Sequence, residues 1–214
     1  MSLSLYGYRY SVYSWIAKLA LYEKGVDYEW IEVDPFAPDV APDYLRIHPF
    51  KRVPALSHDG FVLYETRAIT QYIDEGFRGP ALQPTDPRQR ARCNQIISIV
   101  DSYAYWPLVR QVYAHRVFRE LLGQAYDDAE VEKGLMAAPQ LLGALEAIAE
   151  DTAFLCGSEV SLADIHLAPM IGYFVRATEG ALVLGRYAKL LAWWSAMSSR
   201  AAYRGTEPDF PAFS

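Results

Sequence analysis

The stretch HPFKRVPALSHDGFVLYETRAI, residues 48–69, decides the fold that we predict for this chain. Two short apolar runs, Val53–Leu56 and Phe61–Tyr64, are separated by a turn that ends in Asp-Gly. An Asp-Gly pair between two apolar runs is a strong signal for a β-hairpin. Apolar residues then recur at helical spacing from Thr66 onward. We therefore predict two antiparallel strands followed directly by a helix.

The chain before this hairpin adds two strands and two helices. Residues 3–7 form a short strand that Gly7 ends, and apolar residues then recur at helical spacing up to Gly25. Aromatic and β-branched residues predict a second strand at Tyr28–Val33, and a short helix is predicted at Asp43–Ile47. The resulting order, β-α-β-α-β-β-α, is a small α/β unit of the thioredoxin-like type.

The amino-acid composition and the spacing of apolar residues change after the hairpin and its helix. Residues 76–86 are rich in glycine and proline, which indicates a linker, and no convincing strand follows them. Four helices are predicted there: 87–120 with a kink at Pro107, 128–150 disturbed at Pro139, 161–178 and 187–199. The tail from residue 206 carries two prolines, and we expect it to be irregular.

These segments predict an organisation in three parts. They are an α/β thioredoxin-like domain over residues 1–78, a linker over 79–87 and an all-α domain over 88–214. A chain of 214 residues is long enough to form two small domains, each with its own core.

Composition and charge narrow the classes of function. Hydrophobic residues make up 52% of the chain and charged residues 21%, as in folded globular proteins rather than disordered ones. The net charge of −6 argues against non-specific nucleic-acid binding. No segment reaches the roughly 20 apolar residues that cross a bilayer, and the residues after Met1 lack the apolar run of a secretory signal. We therefore expect a cytoplasmic protein with no nucleic-acid or membrane partner.

Neither the cysteines nor the histidines are spaced as metal ligands. Cys93 and Cys156 lie far apart and form no Cys-x-x-Cys pair, which fits a reducing compartment. The four histidines show no ligand spacing either, so no metal is predicted.

Three stretches of the chain resemble the cytosolic glutathione transferases. YGYRYSVYSW at 6–15 is similar to the first strand, catalytic loop and first helix of the serine-type classes, and most of all to the zeta class. HPFKRVPAL at 48–56, followed by YETRAI at 64–69, resembles the glutathione-binding signature, and VSLADI at 160–165 resembles the motif of the helical domain. The resemblance implies the glutathione transferase fold and a homodimer that takes glutathione as co-substrate.

The second stretch carries the residues that the resemblance implies for holding the glutathione backbone and its γ-glutamyl end. Val53, before a cis Pro54, would pair through its N–H and C=O with this extended peptide. Glu65 would meet the ammonium group of the ligand. Thr66, the predicted N-cap of the following helix, would meet its γ-glutamyl carboxylate.

Lys51 and Arg52 precede these residues and carry two positive charges. Either cation can bind the glycine carboxylate of glutathione, and Arg52 can do so through two parallel hydrogen bonds. The alternative is that both are ordinary surface cations, which need no ligand.

Ser11 is the candidate catalytic residue. It lies between the first strand and the first helix, and a hydroxyl there can donate a hydrogen bond to a bound thiolate. A hundredfold shift from thiol to thiolate requires only about 2.7 kcal/mol. Alternatively, Ser11 or Ser14 merely caps the helix. Tyr6 and Tyr8 are rivals to Ser11, because other classes use a tyrosine as the thiolate donor.

The long helix predicted at 87–120 contributes further candidates. Tyr105, Trp106 and Tyr113 can line a pocket for a small hydrophobic electrophile, or they can pack in the core. The resemblance also implies that Asp101 reaches the glutathione of the partner subunit across a dimer.

Ser161 and Asp164 have the spacing of a capping box. Val160 and Ile165 stand at the two positions of the hydrophobic staple that often accompanies this motif. The pattern predicts the start of a helix rather than a site of chemistry.

Two functions follow from these residues. The first is a glutathione transferase, which activates the glutathione thiolate for attack on a hydrophobic electrophile. The alternative is a non-catalytic interaction protein on the same fold, for example one that binds the bacterial division protein FtsZ. The tyrosines crowded around Ser11 and the arginine-rich stretch 88–119 favour this alternative.

Overall fold

The computed structural model describes residues 2–38 and 42–209. The described residues up to Ala81, together with Gly205–Asp209, form one compact unit, and Leu82–Arg204 form a second. The segment Gly205–Asp209 belongs to the first unit although it follows the second in the chain. One reason is a buried hydrogen bond of 3.1 Å from the Trp15 indole N–H to the Thr206 hydroxyl.

The first unit is built on a four-stranded mixed sheet with the strand order β2-β1-β3-β4. Its strands are β1 (Leu3–Gly7), β2 (Glu29–Glu32), β3 (Ala55–His58) and β4 (Phe61–Tyr64). Strand β1 pairs in parallel with β2 and antiparallel with β3, which forms the predicted hairpin with β4. The thioredoxin-like order predicted from the sequence is confirmed.

Three helices belong to this sheet: α1 (Val12–Lys24), α2 (Pro42–Ile47) and α3 (Thr66–Gly76). Helix α1 ends at Gly25, which adopts the left-handed conformation with φ 67°. The Lys24 ammonium is buried and donates to the carbonyl oxygen of Asp74 at 3.0 Å, to its carboxylate at 3.2 Å and to the carbonyl of Pro80 at 2.9 Å. One side chain thus ties the ends of α1 and α3 to the chain that leaves this unit.

The described part of the second unit contains helices and no extended strand pairing beyond one isolated bridge between Phe154 and Gly157. Its elements are α4 (Pro87–Ile99), a π-helical segment (Val100–Phe118), α5 (Arg119–Leu121), α6 (Asp128–Ile148), α7 (Leu162–Phe174), α8 (Thr178–Leu184), α9 (Ala188–Ser198) and the first four residues of α10 (Ala201–Thr206), whose last two belong to the first unit. The four predicted helices are present. The sequence prediction missed α8 and α10, which are only 7 and 6 residues long, and placed residue 206 in an irregular tail. The rest of that tail from 210 lies outside the described residues.

The sequence predicted one helix with a kink at Pro107, and the structure has a π-helical segment there. The chain passes from α4 into a segment with hydrogen bonds over five residues, as in the bond from the Arg119 N–H to the Ala114 carbonyl. Pro107 lies inside this segment, and Pro139 lies inside α6, which runs without a break. Helix α6 packs closely here, because a Cβ on Gly134 would lie 2.7 Å from the Pro107 carbonyl oxygen.

The capping box at the start of α7 is confirmed, and every residue of this helix is buried. The Asp164 carboxylate accepts from the Ser161 N–H and the Leu155 N–H, both at 2.8 Å. It also accepts from the Ser161 hydroxyl at 2.6 Å and from the Trp193 indole at 2.8 Å. Val160 and Ile165, the two staple residues, are both buried. Four donors thus compensate a carboxylate that has no exposed surface.

Candidate functional site

The pairing register brings the predicted glutathione-binding residues to one end of the sheet. Ala55, the first residue of β3, lies opposite Tyr6 on one side and Tyr64 on the other. Consequently the loop after β1, the residue Pro54 before β3 and the residue Glu65 after β4 all leave the sheet at this same end. The sequence stretches 6–15, 48–56 and 64–69 therefore meet in the first unit.

Ser11 is the N-cap of α1 and is half-buried. Its side-chain oxygen accepts the Ser14 N–H at 3.2 Å, and its own N–H donates to the Tyr8 carbonyl at 2.8 Å. A serine hydroxyl that accepts one bond keeps its proton as a donor. Capping and hydrogen bonding to a ligand are therefore compatible at Ser11.

Ser14 has a structural role. It is 1% exposed, and its hydroxyl oxygen accepts the Tyr8 N–H at 3.3 Å. A Cβ on Gly7 would lie 2.8 Å from the same oxygen, so the strand and the helix approach each other too closely here for any larger residue. Ser11 rather than Ser14 is thus the serine that caps α1 and retains accessible surface.

The tyrosines near Ser11 form two aromatic groups. The Tyr8 ring contacts Tyr10 and Phe36 edge-to-face, with centroids 5.6 and 6.0 Å apart. Burial, reinforced by the nearby Asp34 carboxylate, raises the pKa of Tyr8, so its phenol stays protonated and able to donate. The Tyr6 ring turns instead toward Tyr44, at 5.9 Å. Both rivals to Ser11 are therefore half-buried hydrogen-bond donors at the same end of the sheet.

The loop before β3 is held from several directions. The Val53–Pro54 peptide is cis, as predicted. The Tyr44 hydroxyl donates to the Arg52 carbonyl at 2.6 Å, and the Lys51 ammonium donates to the Ala37 carbonyl at 2.8 Å. Arg52 is exposed, whereas one proton of the Lys51 ammonium is already used within the protein.

Glu65, rather than Thr66, is the N-cap of α3, which corrects the sequence prediction. Glu65 has φ 74° and makes no side-chain capping bond, while its carbonyl accepts the Ile69 N–H at 3.0 Å. Thr66 is the first helical residue and is 8% exposed. The chain turns sharply at Glu65, so helical geometry begins at Thr66, one residue earlier than an N-cap at Thr66 would give. The exposed Glu65 carboxylate and the first N–H groups of α3 lie side by side.

The second unit contains the remaining candidates. Tyr113 is 3% exposed and stacks on Tyr173, with parallel rings 4.2 Å apart, which favours the core-packing alternative for this residue. Tyr105 is half-buried, and its ring lies 6.2 Å from Trp106, which is 63% exposed. These two aromatic residues offer an apolar surface, whereas Tyr113 does not.

Asp101 is paired with a histidine that the sequence did not single out. Its carboxylate lies 3.1 Å from Nδ1 of His166, whose side chain is fully buried in α7. About a third of the Asp101 side chain is exposed. In the sequence, His166 stood out only as a position in the helix that the capping box starts, and that pattern does not indicate a contact with Asp101.

The described residues contain neither a metal-ligand cluster nor a helix that could span a membrane. Between residues 2 and 38 and between 42 and 209, no group of three or more His, Cys, Asp or Glu side chains is placed to hold a metal ion. In the same ranges, none of the helices combines the length and the hydropathy that spanning a membrane requires.

This chain is similar to known proteins over most of its length. The family described as "Glutathione S-transferase, N-terminal domain" matches residues 1–75, and the corresponding C-terminal domain family matches 97–201. Glutathione S-transferase F13 of Arabidopsis thaliana is 32% identical over 212 residues, which cover 97% of this chain and 96% of that protein.

Solved structures agree with the sequence relatives. Glutathione S-transferase III in its apo form superposes with a TM-score of 0.86 at 29% identity, over 99% of both chains. Glutathione S-transferase I bound with lactoylglutathione superposes with a TM-score of 0.85 at 25% identity, over 97% of this chain and 99% of that one. Both the predicted fold and the predicted enzymatic function are confirmed by this agreement. The chain belongs to the glutathione S-transferase family, and it is a glutathione transferase.

Proposed function

We propose that glutathione binds at the end of the sheet where β1 and β4 finish and β3 begins, and that Ser11 stabilises its thiolate. The observation that carries this proposal is the hydrogen bond of 3.2 Å from the Ser14 N–H to the Ser11 oxygen. It fixes the Ser11 side chain, draws electron density from its oxygen and leaves its proton for the ligand. The N-terminus of α1 adds a positive dipole at the same place.

The backbone of glutathione is assigned to Val53, and its γ-glutamyl end to Glu65 and Thr66. The exposed Glu65 carboxylate can accept from the ligand's ammonium group. The N-terminus of α3, at Thr66, can hold the α-carboxylate through its free N–H groups. Pro54 leads the chain from Val53 into β3, and Ala55 is paired with Tyr64, so Val53 and Glu65 lie at the same end of the sheet.

The glycine carboxylate of glutathione is assigned mainly to Arg52. Its guanidinium is exposed, and its backbone is fixed by the Tyr44 hydroxyl. Lys51 contributes through the ammonium protons that it does not donate to the Ala37 carbonyl. Arg52 can form two parallel hydrogen bonds with a carboxylate, which a lysine cannot.

The chemistry that we propose is a nucleophilic attack. The thiolate sulfur forms a bond to an electrophilic carbon, and either a leaving group departs with the electron pair or a proton is added to the neighbouring atom. Tyr105 and Trp106 supply the aromatic surface that we assign to a hydrophobic electrophile.

We also propose a cytoplasmic homodimer in which Asp101 reaches the glutathione of the partner subunit. The contact with buried His166 supports this role, because it fixes one oxygen of Asp101 and leaves the carboxylate partly exposed. Both cysteines are free thiols, which is consistent with a reducing compartment. Sedimentation of the purified protein tests the dimer directly, and a monomer at working concentration contradicts it.

Calorimetric titration with glutathione tests the binding site, and a chlorodinitrobenzene assay tests the transfer. We expect saturable binding of glutathione and glutathione-dependent release of chloride. Absence of binding at millimolar glutathione would overturn the proposed site. Binding without turnover toward any activated aryl halide or enone would overturn the proposed thiolate role of Ser11.

A further inference from the structure

His48 is a buried histidine that the proposed glutathione site does not use. It is 2% exposed, and its Nδ1 is a buried atom without a hydrogen-bond partner among the described residues. Its backbone N–H donates to the Tyr44 carbonyl at 2.9 Å, and its own carbonyl accepts the Lys51 N–H at 3.0 Å. His48 therefore connects α2 to the loop that carries Arg52 and Val53.

The His48 ring lies between this loop and the end of β4. Its centroid is 4.8 Å from the ring of Tyr64, the residue directly before Glu65. It is 6.2 Å from Phe50 and 6.5 Å from Tyr44. The ring thus separates two segments, and each of them supplies a group that we assign to glutathione.

The charges around His48 are those of the proposed site. The titratable rings that pack against His48 are Tyr44 from α2 and Tyr64 from β4, and the charges of Arg52 in the loop and Glu65 at the start of α3 also act on it. Burial lowers the pKa of His48, the Glu65 carboxylate opposes this change and the Arg52 guanidinium adds to it. At neutral pH the ring is therefore uncharged. His48 then does not compete with the ammonium group of the ligand for the Glu65 carboxylate.

From this arrangement we propose that His48 is a positioning residue whose neutral ring keeps Glu65 and Arg52 available to glutathione, and whose protonation weakens glutathione binding. The inference rests on the proposed function. A positive charge on the ring would pair with Glu65 in place of the ligand's ammonium group and would repel Arg52. Because a linkage between two sites is reciprocal, bound glutathione must also disfavour the protonated ring.

The test is the pH dependence of affinity for S-methylglutathione, whose sulfur does not ionise. The carboxylates and the ammonium of this probe keep their charges between about pH 5 and about pH 7, so a change in affinity reports groups of the protein. We expect the wild-type dissociation constant to rise as the pH falls through this range, with a limiting change of at least about fivefold once the His48 ring is protonated, the lower end of typical coupling. In His48→Gln the dissociation constant should stay nearly constant.

His58→Gln is the matched control. His58 lies in the same unit at the opposite end of β3, where it pairs with Leu3 and Phe61. This variant should keep the wild-type pH dependence. An equal pH dependence in wild type and His48→Gln, or its loss in His58→Gln alone, would overturn the role of His48 while leaving the proposed function intact. Absence of binding at neutral pH in the wild type would overturn both.

A second measurement needs no variant. The ring protons of His48 can be followed by NMR against pH in the wild-type protein, with and without S-methylglutathione. The proposal requires a lower pKa for His48 in the complex, in the same ratio as the limiting change in affinity. An unchanged or raised pKa of His48 in the complex would overturn the proposal even if His48→Gln does not fold.

Discussion

The side-chain oxygen of Ser11 accepts the backbone N–H of Ser14 at 3.2 Å, so the proposed catalytic hydroxyl is also the cap of α1. The two roles use different parts of the same group: the oxygen lone pair serves the helix, and the proton serves the ligand. A substitution at this residue therefore affects both folding and chemistry, and the two effects must be separated by experiment.

Ser11→Ala should raise the pKa of the bound glutathione thiol and reduce kcat at neutral pH by about tenfold to a hundredfold. Glutathione affinity should change little, because the carboxylates and the ammonium of the ligand bind elsewhere. Thiolate absorbance of the enzyme–glutathione complex against pH gives the first quantity, and steady-state rates give the second.

Ser11→Thr is the control for this substitution, since it keeps a hydroxyl that can both cap and donate. It should retain most of the activity. If Ser11→Ala leaves the thiol pKa unchanged and Tyr8→Phe raises it, the thiolate donor is Tyr8, whose own raised pKa keeps its phenol protonated.

Glu65→Gln should raise the dissociation constant for glutathione about tenfold, because a charge-assisted hydrogen bond to the ammonium group becomes a neutral one. The thiol pKa in the complex should stay the same, since Glu65 is assigned to the other end of the ligand. Glu75→Gln, near the end of the same helix, removes an equal charge at a residue that accepts from the Gln71 amide at 2.9 Å and is not assigned to glutathione. It should leave binding unchanged, and similar effects of both variants would argue for a general charge effect.

Lys24→Met should destabilise the protein by about 3–5 kcal/mol, because it leaves the buried Asp74 carboxylate without its cation. The two side chains are 3% and 7% exposed. Urea unfolding followed by tryptophan fluorescence measures the loss. The double variant Lys24→Met with Asp74→Asn should recover part of it, whereas additive losses would show that the ion pair itself contributes little.

Asp164→Ala should destabilise the second unit by about 3 kcal/mol or more, because four hydrogen-bond donors lose their acceptor in a fully buried place. Thermal unfolding by calorimetry measures the effect. Asp151→Asn removes a charge from an exposed position thirteen residues earlier and should be nearly neutral. A small effect of Asp164→Ala would mean that the start of α7 is held by its apolar packing alone.

His115 makes the stability of the second unit depend on pH. Its Nδ1 accepts the Asp127 N–H at 2.9 Å, and burial together with the nearby Arg119 lowers the pKa of His115. The unfolded chain therefore takes up a proton on this residue at a higher pH than the folded protein does, so the free energy of unfolding should fall as the pH falls below about 6.5.

Urea unfolding at several pH values measures this dependence. His115→Asn should reduce the slope of the free energy of unfolding between about pH 7 and about pH 5, because an amide does not titrate there. An unchanged slope in the variant would assign the pH dependence to other groups.

Local patterns account for the parts of this structure that the sequence predicted well. The hairpin at residues 55–64 follows from two apolar runs around an Asp-Gly turn, and the start of α7 follows from the spacing of Ser161 and Asp164. Each pattern involves residues only a few positions apart, so their geometry is set by backbone conformation and local hydrogen bonds. The cis peptide before Pro54 was expected from resemblance rather than from such a pattern.

The misplaced details depend on the packing and the backbone geometry of the folded chain. Gly134 packs against the Pro107 carbonyl inside a helix whose form the sequence did not indicate, and α3 begins at a sharp turn at Glu65. The residue types at these positions indicate neither the form of the helix around Pro107 nor the N-cap of α3, because helical propensity is a weak preference that packing overrides.

The sequence by itself determined the order of the elements, the three motifs and the residue types that we assign to glutathione, because these are encoded in short stretches of chain. Only the tertiary structure decided that Ser11 rather than Ser14 caps α1 with accessible surface, that Tyr113 belongs to the core and that His48 packs against Tyr64. These outcomes depend on burial. Burial is a property of how strands and helices pack, and no short stretch of chain specifies it.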